Sequence, residues 1–149
     1  EIVNFLDKYI GMSVVIVAGY EGVMTRCFMT FNEGLPRRFP YRYILSPYSD
    51  AELTDILVSN LRRKVPDDVT IDQETTDFLY SMITKLRTEV PDALKNQAGD
   101  MLNLSAQLNK AITSSFKIKW KNGDLGHNVP ILLAGFDDFL GTKGYSVYG

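Results

Sequence analysis

Three arginines, Arg37, Arg38 and Arg42, gather around the turn Gly34-Leu-Pro-Arg-Arg-Phe-Pro40. A guanidinium keeps its charge at every working pH and presents a rigid fork of N–H donors, so an arginine on such a turn can stabilise the oxygens of a phosphoryl group in transfer. Taken by themselves, the same residues also read as a solvated basic loop. Tyr20 and Glu21 stand at the end of an apolar, β-branched run, and the C-terminal end of a buried strand is where open α/β sheets place ligand contacts. An aromatic plug is the other reading of Tyr20. His127 is the single histidine, set in a polar turn with no Ser, Cys or carboxylate constellation that would make a triad, and it reads as a loop residue. Asp137-Asp138 suggest a metal pair.

The elements that must position these groups follow from periodicity. Ile2, Val3, Phe5, Leu6, Tyr9 and Ile10 recur at helical spacing up to Gly11. Ser13-Val-Val-Ile-Val-Ala18 has no alternation, as a strand buried on both faces of a parallel sheet reads. Gly22 to Phe31 predicts a short helical stretch, and Tyr43-Ile44-Leu45 a second short strand closed by Pro47, which makes the first part α/β. Ser49-Asp-Ala-Glu52 is a capping box that starts a helix at Asp50 with an apolar face of Leu53, Ile56, Leu57 and Leu61. Asp72 caps a second helix carrying Phe78, Leu79, Met82, Ile83 and Leu86, closed by Pro91. Met101, Leu104, Leu108, Ala111 and Ile112 mark a third. Phe116-Lys-Ile-Lys-Trp120 alternates, Lys121-Asn-Gly123 signals a turn, and Val129 to Leu133 is read as the returning strand of a hairpin. Ala134 to Leu140 adds a helical turn or two, and Gly141 to Gly149 carries no pattern.

Composition narrows the class. The chain has 149 residues, 45% hydrophobic and 23% charged, enough to bury a core in one or two small domains without metal or disulfides. A net charge of -2 and a pI near 5.4 give no support to nucleic-acid binding. Cys27 is alone, so no internal disulfide forms and a reducing compartment is expected. Val14 to Ala18 is too short to span a bilayer. The expectation is a soluble, intracellular protein with no membrane partner, cytoplasmic first, with the nucleus as the other compartment open to it. A start at Glu1, directly on a helical pattern, suggests a piece of a longer chain.

The order of parts carries a resemblance. Val15-Ile-Val-Ala-Gly-Tyr20, then Asn32, Gly34, Leu35, Arg38 and Phe39, then Tyr48, Ser49, Glu52 and Leu53 resemble the CbbX and stage V sporulation protein K branch of the AAA+ ATPases. There a strand ending A-G-Y precedes N-P-G-L-x-S-R-F, a short strand and Y-S-x-x-E-L. The close match covers residues 12 to 60; beyond it the layout agrees more than the letters do. The resemblance implies an α/β P-loop NTPase core fragment over residues 1–47, a mainly helical lid with a small β-hairpin over 48–141, and a tail over 142–149. It also turns Phe136 and Phe139 inward and Asp137-Asp138 outward on a short lid helix, so no metal site is expected.

For function the resemblance implies part of an ATPase that couples ATP binding and hydrolysis to remodelling of a macromolecular partner. Arg38, helped or replaced by Arg37, is the finger acting in trans across a ring of identical subunits, and Tyr20 lies in the sensor-1 region. Asn96-Gln-Ala-Gly-Asp-Met-Leu-Asn-Leu104 resembles a lid helix start whose arginine touches nucleotide phosphates; that position is Gly99 here, with Asn96 beside it and Lys95 on the far side of the cap. No G-x-x-x-x-G-K-[ST] and no strand ending in paired acids occurs, so ATP and Mg²⁺ belong to the complete module and this chain alone is expected to bind neither and to hydrolyse nothing. The partners implied are the rest of its own module, further copies in a ring and an unidentified substrate. The alternative is a degenerate, non-catalytic AAA+ assembly or adaptor module that binds partners through its lid.

Overall fold

A strand exists only as one member of a ladder, because its N–H and C=O groups need a neighbour's. The computed structural model describes residues 1–114 and 118–145, and among them there is no strand. Ser13 to Ala18 and Tyr43 to Leu45 run without regular structure, with Val14 89% and Leu45 93% exposed. The α/β core is thereby corrected: the β-branched composition is present, but among the described residues no partner strand pairs with it. The chain divides into two units, Glu1–Ser46 and Pro47–Gly149.

The first unit is built from short helices. Helix α1 spans Ile2–Lys8, and Gly11 follows in the left-handed region at φ 74°, which suits a residue without Cβ. Helix α2, Glu21–Val23, widens into a π-type turn over Met24–Phe28, where the Met29 N–H donates to the Met24 carbonyl at 2.9 Å. Helix α3 spans Leu35–Arg38 and begins where the Asn32 carboxamide accepts from the Gly34 N–H at 2.8 Å. Leu35 is buried, and Phe28 meets Phe39 edge to face at 5.7 Å.

The second unit is helical. Helix α4 spans Asp50–Arg62 and opens with the full capping box: Ser49 Oγ accepts from the Glu52 N–H at 3.2 Å, and Glu52 accepts from the Ser49 N–H at 2.8 Å. The bonds the Glu52 carboxyl accepts from the Ser49 N–H and, at 2.8 Å, from the Ser49 hydroxyl lower its pKa. Helix α5, Gln73–Glu89, is capped by Asp72, which accepts from the Thr75 N–H at 2.8 Å; hydrogen bonding from the Thr75 side chain first, and from its backbone second, lowers the Asp72 pKa. A 3₁₀ turn at Pro91–Leu94 leads to α6, Ala98–Ser114, and α7 spans Leu125–Thr142. Leu53, Leu57, Leu61, Leu79, Ile83, Met101, Leu104, Leu108, Leu132, Phe136 and Phe139 fill one core.

The hairpin is corrected as well. Val129 to Leu133 lies inside α7, whose N-cap Asp124 accepts from the His127 N–H at 3.1 Å. A short apolar run is the same in a strand and in a buried helix, and here Leu132, Phe136 and Phe139 recur at helical spacing. Pro130 sits within that helix. Of the expected first strand, Phe116 and Lys117 lie outside the described residues. The turn at Lys121 to Gly123 does form, with Gly123 at φ 71°. Helices α6 and α7 cross where Gly135 meets Leu108: a Cβ there would fall 3.0 Å from the Leu108 Cα and 2.7 Å from its Cδ2. Gly135→Ala is expected to wedge the helices apart and cost about 1–3 kcal/mol, read as a lower urea midpoint at unchanged slope.

Candidate functional site

In the first unit α1 and α3 pack against each other and bring Asp7 to Arg38. Arg38 Nε donates to Asp7 Oδ1 at 2.7 Å, Nη2 to Oδ2 at 2.5 Å, and Nη1 to the Gly34 carbonyl at 2.9 Å. The two-point contact lowers the Asp7 pKa and raises that of Arg38, in both cases mainly through the hydrogen bonds. The guanidinium lies close to Gly34, where a Cβ would come 2.8 Å from Nη1. Arg37, on the same turn, is exposed and has no hydrogen bond or ion pair among the described residues. Arg42 is tied to Glu21 at 2.7 Å, with Thr25 Oγ1 at 3.3 Å.

Tyr20 is the N-cap residue of α2 and is 88% exposed, so it plugs nothing within its own unit. The donors left on this turn are the fork of Arg37 and the two N–H groups that Arg38 keeps, one on each Nη.

Asn96 and Gly99 belong to the second unit, at the start of α6. The Asn96 N–H donates to Asp100 Oδ2 at 2.7 Å and its side-chain amide to Oδ1 at 3.4 Å. Gln97, next in sequence, adopts φ 53°. A Cβ at Gly99 would meet only the Asn96 Cβ, at 3.8 Å, so the glycine is not required by packing. The ammonium near this helix start is that of Lys143, bonded to Asp100. Sequence reasoning missed this pair: Asp100 is fully buried, and nothing in a 43-residue separation announces a partner. Lys95 is exposed.

The remaining candidates have local partners. His127 Nε2 lies 2.9 Å from the Lys119 carbonyl. Asp138 pairs with Lys110 at 3.5 Å, while Phe136 and Phe139 point into the core. Among the described residues no group of three His, Cys, Asp or Glu could hold a metal ion, and no helix is long and apolar enough to cross a membrane.

No family model matches the chain, and no solved structure matches it. It is 39% identical over 51 residues to a "Putative cfxQ-like protein R730" of Acanthamoeba polyphaga mimivirus, a stretch covering 34% of this chain and 13% of that relative's length. The likeness is local, and it agrees with an AAA+ relationship without specifying a branch.

Proposed function

We propose that this chain is the arginine-bearing part of an AAA+ ATPase that remodels a macromolecular partner, with Arg38 delivered in trans to a phosphoryl group bound by a neighbouring subunit and Arg37 beside it. The observation that supports the reading is the Asn32 to Phe39 turn, where an Asx-type bond leads into a four-residue helix that carries Arg37 and Arg38 in succession. The cfxQ-like similarity supports the family context. Arginine suits the task because phosphoryl transfer asks for positioned charge rather than covalent chemistry.

Guanidinium donors suit an anion and not Mg²⁺, because they are themselves cationic and carry no acceptor. ATP and the metal are assigned, as part of this proposal, to the complete module, meaning this chain together with the polypeptide that carries the phosphate loop. Tyr20 is assigned to the sensor-1 region of that module. Further copies of the chain close the ring and supply the interface that Arg38 crosses. A second reading, a non-catalytic assembly module, draws on Gly99: the position has room for a side chain yet carries no cation.

Complementation separates the two readings. Complete modules bearing Arg38→Ala, mixed with modules whose phosphate-loop lysine is replaced, should hydrolyse ATP faster than either alone, because some interfaces then pair an intact finger with an intact phosphate site. Assembled mixtures without recovery would leave the assembly module as the better description.

A further inference from the structure

We propose that Asp7 is a latch on Arg38: in the resting chain its carboxylate occupies the guanidinium fork, and Arg38 must exchange Asp7 for a phosphoryl oxyanion in order to act. The inference rests on the reading of Arg38 given above and adds how that arginine is held when no phosphate is presented.

Three of the five guanidinium N–H groups are engaged, two by Asp7 and one by the Gly34 carbonyl on the arginine's own helix. That is a folded-back side chain, not one extended toward a neighbour. Gly34 leaves the room in which the guanidinium lies back: a Cβ there would come 2.8 Å from Nη1 and displace that end of the side chain. A carboxylate and a phosphoryl group present the same pair of oxygens to the same fork, so they compete for it. Arg37, one residue earlier and unpaired among the described residues, shows that exposure on this turn does not by itself recruit an acid. The side chains of Arg38 and Asp7 are 28% and 52% exposed. An ion pair this accessible is weak, so a more highly charged phosphoryl oxygen can displace it.

The test uses this chain labelled with ¹⁵N-arginine and titrated with pyrophosphate, each arginine followed by its own Nε–Hε resonance. Asp7→Asn should lower the pyrophosphate concentration that half-shifts Arg38 by about fivefold, the worth of one exposed ion pair. Asp7→Glu should match the parent, and the Arg37 midpoint should stay within twofold throughout. Equal Arg38 midpoints in the parent and Asp7→Asn would overturn the latch. So would Arg37 and Arg38 moving together, which would mark a general charge effect. An Arg38 Nε–Hε in the parent that exchanges with water as fast as that of Arg37 would overturn it without recourse to any variant. The outcome is separable from the proposed function: Arg38→Ala modules that are slow, with equal midpoints in the titration, remove the latch and keep the finger. Arg38→Ala modules at the parent rate remove the finger itself.

Discussion

Arg38→Ala in the complete module should leave ATP binding nearly intact while slowing hydrolysis by about a thousandfold, the range set by loss of an arginine finger. The split follows from timing. An arginine that acts across an interface meets the phosphoryl oxygens as charge spreads over them, so its contribution belongs to turnover more than to ground-state affinity. A thousandfold corresponds to about 4 kcal/mol of transition-state stabilisation, too much for an exposed surface charge acting at a distance. Arg37→Ala should do less, because Arg37 has the weaker claim in the S-R-F pattern even though it is the less encumbered of the two. Nucleotide affinity and single-turnover rate, measured on the same preparations, check the prediction. A variant that binds and hydrolyses like the parent would return Arg37, Arg38 and Arg42 to a solvated basic loop.

Legibility in the sequence tracked how local the deciding interaction was. The Ser49 and Glu52 box spans four residues and formed as read, with both reciprocal hydrogen bonds present. Asp72 was readable for the same reason, and so were the helix faces carrying Leu53, Leu57, Leu79, Ile83, Leu104 and Leu108, since period and core are one signal. Ser13 to Ala18 failed because its composition reports compatibility with a strand, whereas a strand needs backbone partners that composition does not supply. Val129 to Leu133 failed on period: five residues are too few to distinguish two from 3.6, and the turn that did form leads into a helix capped by Asp124 instead of a returning strand. The Asp7 and Arg38 pair was beyond reading, because it joins residues 31 apart through the packing of two short helices.

The Asp100 and Lys143 pair gives the largest expected stability effect, and its asymmetry is the informative part. Asp100 is fully buried, while the Lys143 side chain is 20% exposed. Lys143→Met keeps an unbranched stem to pack near the Phe139 ring, which the ammonium approaches at 5.7 Å, but it strands a carboxylate away from water with only the Asn96 amides as partners. Removing one member of a buried pair costs about 3–5 kcal/mol. Because the backbone amide of Asn96 still donates to the carboxylate, the lower end of that range is expected, a fall of more than about ten degrees in the melting midpoint for a unit of this size. Asp100→Asn leaves the opposite situation: the amide oxygen still accepts from the Asn96 N–H, and the lysine can turn its ammonium to solvent, so about 1 kcal/mol is expected. The double variant Asp100→Asn/Lys143→Met should then melt close to Asp100→Asn alone, since no unpaired charge remains to be buried. Circular dichroism melts of the four proteins give the cycle. Equal losses for the two single variants, or strict additivity in the double, would show that the carboxylate reaches water after all and that the α6 start is held by its backbone bonds alone.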